Sequence, residues 1–361
     1  MSLPSARVCG ALVFAAWVVL AGSGLALETA RDASPWPQQG HAAPSGVLGA
    51  ELAMGSVLRL ESPLSRMVRI PASSFQMGSD EPEVLGALAD CVREAYGHRC
   101  TPTLFNNETP RHLVHVSSFW LDRFEVSVAQ YERCVVVGRC AERPVSEATA
   151  RFDRADYPVS RVTWHDAESY CAFRQARLPT EAEFERAARG VGGRRYPWGD
   201  LFNTWASNHG RFGWDVTDAS DGFSELAPVG SLGAGATPEG IYDLAGNVAE
   251  WMHDRYTPTY EASDTRDPRG PGIGGSNLRV IRGGSYAQAR FRLRGAARAF
   301  GEPSERRSTL GFRCARTALG AGPGASEGGA AIDLGQPKSS SDACVGADGV
   351  FAALGSERRR C

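Results

Sequence analysis

A turn-rich α+β domain is predicted by this sequence on three observations: enough length to bury a large core, abundant glycine and proline, and apolar runs that are all short. The chain has 361 residues, 42% of them hydrophobic and 22% charged, so one sizeable domain with flanking segments is expected. Its 41 glycines and 21 prolines interrupt the pattern too often for a helical bundle or a long parallel sheet. The formal net charge of −2 argues against a nucleic-acid partner and against adsorption to a membrane surface. No repeat at a solenoid or propeller period is visible.

In sequence order, Arg7 precedes a mostly apolar stretch at residues 8–20, and Gly24-Leu25-Ala26 follows. That is the layout of a cleaved export signal over residues 1–26. A membrane span needs roughly 20 apolar residues, and this run breaks at Gly22-Ser23-Gly24. No stable membrane insertion is therefore expected, and the mature protein is placed in the periplasm, at the cell surface or outside the cell. Residues 27–65 are rich in Ala, Pro and Gly and read as a linker with one short helix near residues 47–54.

The domain is expected over residues 66–316. It opens where the alternating Val68, Ile70, Phe75 and Met77 end in Gly78-Ser79, the pattern of a strand hairpin. Residues 112–116 and 119–126 alternate similarly and are expected to pair in the central sheet. Thr163 can cap a helix over residues 164–176, with Asp166 in its first turn. Thr180 and Glu183 make the capping box of a second helix, which Gly190 stops. Its glutamates are expected on a solvated face, not as a paired general acid and base. From residue 317 to the end the sequence is a Gly/Ala/Ser-rich tail, expected to be flexible.

Cysteine arithmetic points the same way as the signal. Of nine cysteines, Cys9 lies in the signal, and the remaining eight form an even set, as an oxidised protein requires. Proximity pairs Cys91 with Cys100, Cys134 with Cys140 and Cys344 with Cys361, which leaves Cys171 and Cys314. No CxxC occurs, so disulfides outweigh metal ligation. Among the histidines, His112 and His115 face opposite ways on a strand. His165, His209 and His253 are isolated in sequence, and structural or surface roles are expected for them.

Three ordered signatures carry a resemblance. They are Gly240-Ile241-Tyr242-Asp243-Leu244-Ala245-Gly246-Asn247-Val248-Ala249-Glu250-Trp251, then Arg279-Val280-Ile281-Arg282-Gly283-Gly284-Ser285-Tyr286, then Leu310-Gly311-Phe312-Arg313-Cys314. With Arg177-Leu178-Pro179-Thr180-Glu181-Ala182-Glu183 and Tyr196-Pro197-Trp198-Gly199, the protein resembles the sulfatase-modifying-factor family, which includes the formylglycine-generating enzymes. The resemblance spans roughly seven-tenths of the sequence. It implies a variant C-type-lectin-like fold, held by bound calcium, turns and disulfides, with a bridge between Cys171 and Cys314.

The family's first calcium site corresponds to the side chains of Asn208 and Asp221 and the carbonyls of His209 and Phe223. Its second corresponds to Asp243 and Glu250 with the carbonyls of Gly246 and Val248. Oxygen donors of this kind suit Ca²⁺. The alternative is that Asn208 and Asp221 stabilise turns and that Glu250 sits in a buried ion pair.

The family's oxidase chemistry uses two cysteines that hold Cu(I), which soft thiolates bind well. Counting from Gly283, their positions here hold Gln288 and Leu293, in a segment about three residues shorter and without any cysteine between residues 283 and 298. Copper binding and formylglycine synthesis are therefore not expected. The family's substrate groove would be formed here by Ser285, Tyr286, Arg290, Arg292 and Arg298. Its arginines could grip a carboxylate- or phosphate-bearing ligand, or could simply be the exposed face of a strand that buries Phe291 and Leu293. The expected function is that of an exported, catalytically silent protein binding a peptide or protein. The alternative is an exported oxidative maturation enzyme with a non-standard site.

Overall fold

The computed structural model describes residues 67–94, 96–211, 218–261, 265–272 and 276–318. The expected signal and linker, the tail beyond residue 318 and the expected Cys344–Cys361 pairing lie outside these residues. The alternating entry segment forms two short strands, β1 (Met67–Ile70) and β2 (Ser73–Met77). They do not pair with each other, so the expected hairpin is corrected. Pro71 and Ala72 carry the backbone from one sheet to another. There β2 meets β3 (His112–Val116), with Phe75 opposite Val114, while β1 meets β4 (Phe119–Asp122), with Ile70 opposite Phe119. Nor do β3 and β4 pair with each other as expected, and β4 stops four residues short of residue 126. Beyond Asp122 the backbone instead bonds to the last signature, Val126 N–H donating to the Phe312 carbonyl.

Helix α1 (Glu81–Val92) starts at Asp80, whose side chain accepts from Glu83 N–H, and α2 (Val128–Val136) starts at a Ser127/Gln130 capping box. Helix α3 (Trp164–Phe173) begins at Thr163 as expected. Thr163 accepts from Asp166 N–H at 3.1 Å, and Asp166 accepts from Thr163 N–H at 2.8 Å. Its end falls three residues before 176, where Gln175 takes a positive φ of 55°. Helix α4 (Glu181–Arg189) has the Thr180/Glu183 box, and Gly190 ends it with φ 64°, a geometry glycine adopts without steric cost.

The expected solvated face of α4 is a correction. Glu181, Glu183 and Glu185 are all buried, because each carboxylate is met by a guanidinium from elsewhere in the sequence. Arg298 grips Glu181, Arg177 grips Glu183, and Arg282 and Arg189 flank Glu185. Capping chemistry is local and legible. Enclosure by Arg282 and Arg298, about a hundred positions away, is not.

The remaining strands build the site. A four-stranded sheet runs in the order β7 (Ala299–Gly301), β6 (Arg279–Arg282), β5 (Ala249–Arg255), β8 (Leu310–Gly311). A three-stranded sheet places β4 between β1 and β9 (Ala315–Thr317). Trp251 on β5 is fully enclosed, its indole N–H donating to the Val162 carbonyl at 3.1 Å, among Tyr170, Phe312 and the Cys171–Cys314 bridge. Cys91–Cys100 and Cys134–Cys140 are bridged as expected. Among the described residues, no helix is long and apolar enough to cross a membrane.

Candidate binding cavity and ion sites

The loop between residues 243 and 248 holds the domain's polar centre. Asp243 and Asn247 take positive φ angles of 57° and 56°, which residues whose side chains bond locally tolerate best. Gly246 between them has no alternative, since a Cβ there would lie 2.1 Å from the Asn208 carbonyl oxygen. Asn247 is the hub. Its amide oxygen accepts from Asn208 Nδ2 at 3.1 Å and from Ala227 N–H at 3.0 Å, and its Nδ2 donates to Glu125 at 2.7 Å. The sequence pattern points neither to Glu125 nor to the hub role of Asn247. Glu125 belongs to no motif, and only folding brings it beside a loop 122 positions away.

On one side of the hub lies the first expected ion site, and the structure does bring its residues together. Asp221 accepts from His209 N–H at 2.7 Å and from Phe223 N–H at 2.8 Å. Burial still raises its carboxyl above the ordinary value against those two bonds. Asn208 Oδ1 is buried without a hydrogen-bond partner, a costly omission for a polar atom unless something else is coordinated there. The donor set of an amide oxygen, a carboxylate and two carbonyls fits a calcium ion.

On the other side, the second expected set is arranged differently. Glu250 gives both oxygens to Arg313, at 2.9 and 2.8 Å from Nε and 2.7 Å from Nη2, fully enclosed. This is the buried ion pair of the alternative reading, and with one expected ligand so engaged the set does not fit calcium as the first does. Asp243 accepts from Gly230 N–H at 2.6 Å, and Gly246 and Val248 serve the loop backbone. Burial raises the carboxyl of Asp243 to about 6, opposed by the Gly230 N–H and Arg313. Burial, with Asp243 and Glu250 nearby, drives Glu125 well above its ordinary value. Among the described residues, no three His, Cys, Asp or Glu side chains group as metal ligands do.

Beyond β6 lies a cavity of about 540 Å³ whose wall includes Asn106, Asn107, Tyr256, Ser285, Gln288, Arg292, Arg298, Phe300 and Arg307. It forms because Gly283 and Gly284 turn the backbone sharply. Gly284 has φ 69° and lies so near the 292–293 backbone that a Cβ would be 2.9 Å from the Arg292 carbonyl oxygen. Ser285 and Gln288 face the cavity as expected.

Leu293 does not. It packs against Tyr196 and Ala245 in the core. Tyr286 lies instead in a cluster with Phe152 and Leu226. Residues 290–292 form one 3-10 turn, and the strand with alternate exposed arginines is not found. Arg290 lies outside this cavity, 3.7 Å from Glu94. Arg298 lines the cavity but spends its fork on Glu181 and on the carbonyls of Asn107 and Thr257. No sequence motif marks the turn at residues 102–108, which brings Asn106 and Asn107 to the wall, or Phe300 on β7.

A turn-rich α+β domain built on these signatures, with this strand order and the bridge from α3 to the last signature, defines the class. The protein belongs to the sulfatase-modifying-factor family: residues 56–318 match the family described as the sulfatase-modifying factor enzyme 1-like domain. It is 36% identical over 311 residues to the formylglycine-generating enzyme of Streptomyces coelicolor, covering 77% of this sequence and 96% of that protein. It is also 30% identical over 280 residues to the inactive C-alpha-formylglycine-generating enzyme 2 of Bos taurus, covering 69% and 87%. The solved structure of PvdO from Pseudomonas aeruginosa shares the fold, with a TM-score of 0.54 and 24% identity over 70% of this protein and 94% of that one.

Proposed function

We propose that this domain is an exported binding protein that does not generate formylglycine and that receives a peptide or protein ligand in the cavity beyond β6. One observation carries the reading. Among the described residues, no Cys, His, Asp or Glu contributes to the cavity wall, and all six cysteines there are in disulfides. Cu(I) has no thiolate to bind, and a reacting group would find no general base beside Gln288. Three disulfides together with the signal-like first 26 residues support export. The 36% identity to a formylglycine-generating enzyme favours the alternative, an oxidative maturation enzyme with its ligands elsewhere.

A direct assay separates the two. Incubated with copper and a peptide bearing a Cys-x-Pro-x-Arg core, the protein is expected to leave the peptide mass unchanged. A loss of about 18 Da at the cysteine, the signature of copper-dependent oxidation to the aldehyde, would overturn the binding reading.

Calcium is proposed at the first site, held by Asn208, Asp221 and the carbonyls of His209 and Phe223. Its charge would stabilise the loop that orients Asn247. Chelation is expected to lower the melting temperature by roughly 5–10 °C relative to calcium at a hundred times its Kd. In Asp221→Ala the response to chelator should largely vanish. Superimposable melting curves of the wild-type protein with and without chelator would remove calcium from this account.

A further inference from the structure

The cavity wall carries Arg282, Arg292, Arg298 and Arg307 with no acidic side chain among the described residues. Three of these are spoken for: Arg282 by Glu185, Arg298 by Glu181 and Arg307 by Glu305. Arg292 is not. Among the described residues its guanidinium has no hydrogen-bond or ion-pair partner and stacks only over the neighbouring Phe291 ring, 5.4 Å from the centroid. Glu108, close enough to act on it electrostatically, gives its own oxygens to Arg294 and Ser79. Half-buried in the cavity wall and without a counter-charge, this guanidinium can give an anion arriving from outside two parallel hydrogen bonds.

What surrounds Arg292 narrows the class of anion. Phe300 keeps 45% of its surface exposed at the cavity edge, and Leu104 and Pro258 add apolar wall. Strand β7, which contributes Ala299 and Phe300, pairs with β6 on one side and is the outer strand of its sheet. An outer strand beside apolar pockets suits an extended peptide, and a planar fork suits a carboxylate.

We infer that the cavity binds an extended peptide by seating a carboxylate on Arg292 and apolar side chains against Phe300 and Leu104. The inference rests on the cavity being a binding site. The carboxylate can come from an acidic residue of the peptide or from its free C-terminus, and both present the same two oxygens.

The test uses the full-length protein and three fluorescein-labelled hexapeptides of alternating Ala and Phe, followed by fluorescence anisotropy. One carries a central Asp and an amidated end, one the matching Asn and an amidated end, and one the Asn with a free C-terminal carboxylate. Either charged peptide is expected to bind about ten- to hundredfold tighter than the neutral one, the worth of a charge-assisted hydrogen bond. Arg292→Gln should abolish that preference while still binding the neutral peptide, and Arg292→Lys should keep part of it. Equal wild-type binding of all three peptides would overturn the carboxylate inference and leave the cavity reading standing. A preference that survives in Arg292→Gln would overturn it too. Failure of every peptide to bind would overturn the cavity reading itself. The wild-type comparison stands even if a variant does not fold.

Discussion

A Cys171→Ala, Cys314→Ala double variant is expected to lose about 5 kcal/mol of folding stability, measured by urea denaturation against the wild-type protein. The bridge spans a sequence separation of 143, and closing a loop of that size removes much of the freedom of the unfolded state. The Cys134–Cys140 bridge spans only 6, for which the same relation gives about 2 kcal/mol. Measured side by side, the long bridge should dominate. A whole domain commonly has about 5–15 kcal/mol of stability to lose, so the first variant is expected to be unfolded or nearly so at 37 °C. Equal denaturation midpoints for the two bridge variants would refute the loop-closure account. Their ratio matters more than either value, because each substitution removes the same pair of sulfur atoms.

The second large effect is expected from Arg313→Met. Arg313 meets Glu250 through Nε and Nη2 and donates to the carbonyls of Asp122 and Tyr242. It is also the cation that opposes the burial of Asp243 and Glu125. Removing one partner of such a pair leaves an uncompensated charge inside, worth about 3–5 kcal/mol. Adding Glu250→Gln should recover part of the loss by removing that charge, the signature of a coupled pair in a double-mutant cycle.

The effect should also depend on pH in a defined direction. Burial already holds Glu250 above its ordinary value, with Arg313 opposing, and without the arginine it must rise further. A carboxyl raised in the fold contributes stability that is complete below its ordinary value and is lost as pH rises through the raised one. The gap between Arg313→Met and wild type is therefore expected to be widest near pH 7 and to narrow on acidification, as the raised carboxyls of Glu250 and Asp243 take up protons. A gap that widens on acidification would refute this.

What could be read from the sequence alone was what local chemistry decides. Thr163 and Thr180 announced their helices because a cap and its partner three residues on are a local event. Gly190 announced its stop for the same reason. The short-range bridges followed from proximity, and the ordered signatures carried the rest of the fold by resemblance. Pairing between β1 and β4, or β2 and β3, was not legible, since alternation marks a strand without naming its neighbour. Burial of Glu181 and Glu185 was hidden for a related reason: most of their arginines come from strands and turns far along the sequence. In the site, Asn208 and Asp221 were named by the resemblance, whereas Glu125 and Asn107 belong to no motif. Leu293 shows another limit, because a position counted along the sequence does not say which way its side chain faces, and this one turns into the core.

Both ends of the described domain leave from one place. Strands β1 and β9 flank β4 in the same sheet, Met67 lying opposite Asp122 and Thr317 opposite Phe119. Two strand spacings across and three residues along put those ends about 14 Å apart. A domain whose entry and exit strands lie in one small sheet, either side of a single strand, behaves as a cassette. It can be spliced into a surface loop of another protein without prising that host apart, and its own ends can be joined by a few residues and reopened elsewhere. The sheet strands that line the cavity, β5, β6, β7 and β8, belong to a different sheet from β1 and β9. A join made at those ends leaves the strands that frame the cavity uninterrupted.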